Sequence, residues 1–364
     1  MISFDEVDAA ARSNVITADQ AAALKIFVAD RKRVKVVDVD EPFKFLSGFR
    51  DFFIAVGLLI MVAAFIAVAA FTGNGVLASA LGAAAAWGMA ELVAKRDRLA
   101  LSSIIVSLGF ISAAGLFAGF SLDADWLGTN GLSGFASTRG SGQDWRNPAL
   151  LGALVSVAAA GLFYVRFKVP FVLAGLAAAT ILFFVIVINS IAPEWAESNA
   201  RLILGISGFM TFLAAMRFDA SDPARITRRA DCGFWLHLIA APLIVHSLIG
   251  ITGASDLSVQ TEEALAVFIL VAVITLVALV IDRRSMIVSA LIYTAAATFA
   301  TVSAFEGDSD LPIVITLFAL ATLVIGLGLL WPLLRRVVMI PFEGTKLAQM
   351  VPPWRTQFTT GPNE

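Results

Sequence analysis

The chain has two histidines, and both fall in one apolar stretch, Phe234-Trp235-Leu236-His237-Leu238-Ile239-Ala240-Ala241-Pro242-Leu243-Ile244-Val245-His246. Imidazole gains and loses a proton near neutral pH, so His237 and His246 are candidates for a proton relay or a ligand cavity. An ionisable group inside a membrane span is costly and turns toward the bundle interior, which makes it a functional candidate. Nine residues of straight helix put the two rings on opposite faces, about 13 Å apart along the axis. They therefore cannot share one metal ion. Pro242 lies between them, removes a backbone donor and is a candidate kink. The carbonyl near Leu238 then needs another partner. The plainer role for each ring is a neutral imidazole bridging two helices.

Glu91 is the third protonatable candidate. It follows Trp87-Gly88, with Lys95 four residues on in the favourable order for a helical ion pair. That pair competes with an inward Glu91 that meets His237 at similar depth. Asp231 opens the histidine span and reads as its N-cap. Arg201 opposes the helix dipole at the start of its span. It is expected to pair with Glu194 or Glu197 and is a candidate anion contact.

Catalytic signatures are absent: the chain has no GxxxxGK[ST], GxSxG, HExxH or CxxC. Its single cysteine, Cys232, excludes an internal disulfide and a cysteine-based metal cluster. No catalytic residue, cofactor or metal is expected, and the chain does not read as an enzyme. A net charge of -2 offers nothing to nucleic acid.

The elements that must position these residues are membrane spans. The chain is 59% hydrophobic and 15% charged, and the apolar residues lie in long uninterrupted runs. Hydropathy predicts ten spans, about 50–72, 75–94, 99–120, 148–166, 169–191, 199–217, 231–252, 261–281, 285–305 and 310–332. With an inside amino terminus, the inside segments hold 23 of the 26 Lys and Arg, leaving Arg139, Arg146 and Arg201 outside. That skew follows the positive-inside rule. The first 49 residues are polar and basic, so the first span is expected to serve as an uncleaved insertion signal. The expectation is an all-α polytopic bundle in a bacterial cytoplasmic membrane, with both termini cytoplasmic.

Residues 1–49 read as a cytoplasmic helical segment, 50–332 as the bundle and 333–364 as an interfacial tail. Ser3 to Glu6 and Thr17 to Gln20 both fit the capping box. On α-helical spacing, residues 1–40 could dock a cytoplasmic protein partner. Gly115 and Gly119 form a GxxxG pattern, which serves either packing within the chain or a homo-oligomer.

The Val15-Ile16-Thr17-Ala18-Asp19-Gln20-Ala21 run, ahead of many Ala/Gly-rich spans, resembles a family of uncharacterised multi-pass bacterial membrane proteins. These begin with an Ile-Thr-x-x-Gln-Ala helix. Asp222-Pro223 through Arg228-Arg229, and Phe234 to His246, are similar to segments of alphaproteobacterial inner-membrane proteins. The resemblance implies a multi-pass membrane protein and transfers no activity. The residues themselves favour a secondary transporter or permease-like protein for a small solute, with proton linkage through His237, His246 and Glu91. The alternative is a non-catalytic membrane scaffold or assembly factor.

Overall fold

Hydrocarbon offers no water to backbone polar groups, so an apolar segment satisfies them internally as a helix. The computed structural model describes residues 13, 15–17, 19–23, 48–123, 146–250, 261–306 and 311–353. Within these residues, ten helices are long and apolar enough to cross a membrane. They are α1 (Phe49–Thr72), α2 (Gly75–Ala90), α3 (Ala100–Leu122), α4 (Arg146–Phe167), α5 (Phe171–Ile191), α6 (Ala200–Ala220), α7 (Arg228–Ile249), α8 (Thr261–Ile281), α9 (Ser285–Glu306) and α10 (Leu311–Met339). A π-helical segment, Glu91–Arg96, continues α2. The spans measure 20 to 32 residues, enough for a ~30 Å core at ~1.5 Å per residue. The protein is an all-α polytopic bundle with no strand among the described residues.

The chain divides into two units, residues 1–43 with 353–364 and residues 44–352. In the first, the capping box at Thr17 is closed on both sides. Gln20 N–H donates to Thr17 Oγ1 at 3.2 Å, and Thr17 N–H donates to Gln20 Oε1 at 3.0 Å. The box at Ser3 lies outside the described residues.

In the second unit, consecutive helices pack together except α5 with α6 and α7 with α8, which barely touch, and α7 is the hub, packed on α5, α6 and α9. Small residues set the closest approaches. A Cβ on Gly115 would stand 2.1 Å from Ser156 Oγ and 2.9 Å from the Gly152 carbonyl. The GxxxG face of α3 therefore packs on α4 within the chain. On α6, Gly205 and Gly208 meet Ser247, Leu243 and Ile244 of α7 in the same way.

Two boundaries differ from expectation. The helix α7 starts at Arg228, and its N-cap is Thr227, whose Oγ1 accepts from Arg229 N–H at 3.2 Å. Asp231 lies inside the first turn and is not the cap. A hydroxyl four residues upstream, backed by Asp222, captures the first free donors. The last helix runs through Pro332 to Met339, past the expected end at 332. Arg335 thereby belongs to the bundle, where it and Trp331 are both buried.

Four non-glycine residues adopt the left-handed conformation: Arg98 (φ 51), Lys168 (φ 53), Arg225 (φ 52) and Asp282 (φ 57). All four lie in the basic turns. Lys168 N–H closes onto the Tyr164 carbonyl at 2.8 Å, and Arg283 N–H onto the Ala278 carbonyl at 2.9 Å, which are helix C-cap bonds. Glycine would adopt this backbone without the ~1–2 kcal/mol left-handed penalty. At Arg225 and Asp282 the penalty is offset by ion pairs that a glycine could not make.

Candidate functional site

The four basic turns meet at one end of the bundle. Arg50 at the start of α1 pairs with Asp97 in the α2–α3 turn. Glu91 pairs with Arg166 of α4 at 2.7 Å. Tyr164 Oη and Cys232 Sγ approach to 3.9 Å, linking α4 to α7. In the other half, charge pairs join α6, the α8–α9 turn and α10.

Asp219 is the centre of the site. It is the penultimate residue of α6, where the helix dipole disfavours a carboxylate. It is also 4% exposed, so it must be compensated locally. Arg283 supplies the compensation as a fork: Nε donates to Oδ2 at 3.0 Å and Nη2 donates to Oδ1. The same Nη2 donates to the Ala230 carbonyl at 2.9 Å, in the first turn of α7. His237, with no exposed surface, reaches Oδ2 through Nε2 at 3.0 Å. A carboxylate only accepts, so Nε2 carries the proton and donates. The Phe212 ring stands edge-on to the imidazole at 5.3 Å. Gly233 leaves room for the carboxylate, since a Cβ there would lie 2.3 Å from Asp219 Oδ1. One carboxylate, one guanidinium and one imidazole thus fasten α6, α7 and the α8–α9 turn.

Asp282, the residue before Arg283, organises a second cluster of opposite polarity. It is 3% exposed. Arg225 Nη1 donates to its Oδ2 at 3.3 Å, and Trp331 Nε1 donates to its Oδ1 at 2.8 Å. Arg335 Nε lies 3.5 Å from Oδ1, and Arg335 Nη2 donates to the Pro352 carbonyl at 2.6 Å. The Arg284 guanidinium lies over the Trp331 ring at 5.4 Å. Adjacent residues 282 and 283 therefore neutralise opposite charges in two neighbouring networks. Asp222 completes this end of the bundle by accepting from Thr227 N–H at 2.8 Å and Thr227 Oγ1 at 2.7 Å.

The sequence candidates are dispersed. His237 faces α6, while His246 faces α9, where Nδ1 lies 2.8 Å from Tyr293 Oη. The rings part, as nine residues of helix predict, and His246 bridges two helices. Glu91 does not meet His237. Lys95 at 3.3 Å and Arg166 at 2.7 Å hold it instead, because both cations share its level near the helix end. Pro242 is exposed within a helix that continues unbroken to Ile249. Arg201 makes no ion pair among the described residues, and the expected pairing with Glu194 or Glu197 is not formed. Its guanidinium stacks against the backbone of Gly250, where a Cβ would lie 2.5 Å from Nη1. No group of three or more metal-ligating side chains occurs among the described residues.

Asp219, Asp282, Arg283, Arg225, Trp331 and Arg335 were not foreseen as site residues. One signal was present. Asp219 is a carboxylate at the helix end where the dipole repels it, which marks a residue kept for a specific partner. The charged residues of 282–284 read as a turn, with nothing to separate the buried pair from the half-buried Arg284. No family model, curated protein or solved structure matches the chain.

Proposed function

We propose that this chain is a proton-linked secondary transporter of a small solute, not an enzyme, in a bacterial cytoplasmic membrane with both termini in the cytoplasm. The observation that carries the reading is the fully buried His237–Asp219–Arg283 cluster inside a ten-helix bundle. Buried ionisable groups in membrane helices mark ion and substrate paths. With neutral His237 the cluster sums to zero, since Asp219 and Arg283 cancel. A second proton on the imidazole makes it cationic in a medium of low polarity. The cluster then favours an arrangement that admits water to it, which means separating α6 and α7 from the α8–α9 turn. Protonation would thereby bias an opening at the basic end, the coupling that alternating access requires.

The test uses proteoliposomes with a trapped pH indicator and an imposed proton gradient. Amino acids, carboxylates and sugars are added in turn. One solute class is expected to accelerate proton movement through the wild-type protein. His237→Gln keeps a hydrogen bond to Asp219 but cannot be protonated, and should slow that movement at least ~10-fold. Absence of solute-dependent proton movement for every class refutes the reading.

A second reading has the closed Thr17–Gln20 box in its favour: a scaffold that docks a partner through residues 1–40. Deleting those residues should leave transport intact and should remove a scaffold's partner.

Orientation has its own check. Cys232 is buried, so it contributes little background to thiol labelling. In sealed right-side-out vesicles, Arg98→Cys should resist a membrane-impermeant thiol reagent, and Glu197→Cys should react. The opposite pattern inverts the topology.

A further inference from the structure

Three elements converge on one sector of the basic end: the start of α1, the α2–α3 turn and the α4–α5 turn. Buried Asp51 of α1 pins the first two together. It accepts from Leu101 N–H and Ser102 N–H, both at 3.0 Å, and from Ser102 Oγ at 2.6 Å. The Glu91–Arg166 pair brings in the third. Six cations gather there, Arg50, Lys95, Arg96, Arg98, Arg166 and Lys168, against three carboxylates, Asp51, Glu91 and Asp97. One carboxylate is buried as a cap and the other two are already paired. The cations remain outside: Arg50, Lys95 and Arg166 keep 66%, 51% and 39% of their side-chain surface. Arg96, Arg98 and Lys168 are exposed and have no ion-pair partner among the described residues. The other half buries two of its cations, Arg283 and Arg335 at 2% exposed, and leaves Arg228, Arg229 and Arg336 outside.

Beside this positive sector is an exposed aromatic edge. Phe49, Phe52 and Phe53 keep 76%, 47% and 58% of their surface. They contact one another, with Phe49 and Phe53 edge to face at 4.6 Å. An apolar groove of about 370 Å³ runs between α1, α2 and α3, from Leu58, Ala86 and Ile105 toward Gly75 and Phe120 at the opposite end. That volume is within the ~300–1,000 Å³ range of ligand sites.

We infer that this sector, Arg50, Lys95, Arg96, Arg98, Arg166 and Lys168 with the Phe49–Phe53 edge, is a docking site for an anionic phospholipid of the adjoining leaflet. The chemistry matches part by part. Cations at helix ends meet the phosphate, rings at the interface meet the glycerol and upper chain, and the near end of the groove, at Leu58 and Ile105, takes hydrocarbon. A soluble anion would use the first feature alone. The inference is independent of the transport reading, and its failure leaves that reading standing.

The experiment titrates the full-length protein in neutral detergent with phosphatidylglycerol, phosphatidylcholine or inorganic phosphate and follows the thermal unfolding midpoint. Phosphatidylglycerol should raise the midpoint, and the other two should not. Arg96→Gln/Arg98→Gln/Lys168→Gln should unfold like wild type without lipid. It should need roughly a hundredfold more phosphatidylglycerol, from ~1 kcal/mol per surface cation. Arg228→Gln/Arg229→Gln/Arg336→Gln removes exposed cations that lack the aromatic edge, and should respond like wild type. Equal stabilisation by phosphatidylcholine or phosphate overturns the inference. So does an unchanged response in the first triple variant, or an equal loss in the second. If the first triple variant does not fold, Lys168→Gln alone decides, with a roughly fivefold weakening expected.

Discussion

Asp219→Ala is expected to cost about 3–5 kcal/mol of stability, enough to abolish most folded protein, because it strands the buried charge of Arg283. The loss should appear as collapse of the monodisperse species in size-exclusion chromatography and a steep fall in the unfolding midpoint. The physical cause is asymmetric. Arg283 is 2% exposed and donates to both carboxylate oxygens. Without them its buried charge loses its carboxylate and keeps the Ala230 carbonyl. A second variant separates structural from functional use of the cluster. Asp219→Leu/His237→Leu/Arg283→Met removes all the charge together, and replacing a whole buried ionic cluster by apolar side chains is often neutral. This triple variant should therefore recover much of the stability lost in Asp219→Ala. Under the proposed function it should still lack solute-dependent proton movement. Recovery of both stability and proton movement would reduce the cluster to a fastener.

Asp282→Ala carries the other large effect, again about 3–5 kcal/mol. Asp282 is the shared acceptor for Arg225, Arg335 and the Trp331 indole. Its removal takes their shared carboxylate from Arg335, 2% exposed, and from the partly buried Arg225. Two readouts distinguish this loss from that at Asp219. Tryptophan emission should shift to the red as Trp331, 1% exposed, loses its partner and gains water. Protease sensitivity should also rise at the carboxyl-terminal side of α10, because Arg335 holds the Pro352 carbonyl. Asp282→Asn keeps an acceptor for the indole, so it should preserve the emission maximum while losing the charge compensation. An unchanged midpoint in Asp282→Ala would mean that Arg335 is adequately solvated, which its 2% exposure contradicts.

Both variants act on residues that serve two constraints at once. Asp282 takes a left-handed backbone that glycine would adopt at lower cost. It remains aspartate because its side chain joins the α8–α9 turn to α10. Asp219 opposes the dipole of its own helix, and it is kept because Arg283 and His237 converge on it. In each case a local penalty is offset by a contact far away in the chain.

The ten spans were legible from the sequence because membrane insertion is a local property. Some twenty consecutive apolar residues form a helix whatever their neighbours do, so the hydropathy edges and the helix edges nearly coincide. The capping box at Thr17 is equally local, needing only four residues, and it closes as its pattern predicts. The divergence of His237 and His246 followed from helical pitch alone. Where local signals compete, the boundaries lie a few residues away: Thr227, not Asp231, caps α7, and α10 continues through Pro332. The buried clusters were not legible, because they depend on how the helices assemble. Asp219 and Arg283 lie 64 residues apart and Asp282 and Trp331 lie 49 apart, and nothing in the intervening sequence encodes their meeting. A charge near a span end has the same local signature whether solvent or another helix receives it. Only the packing of α6, α7, α9 and α10 determined that Arg283 and Arg335 turn inward while Arg96, Arg98 and Lys168 stay outside.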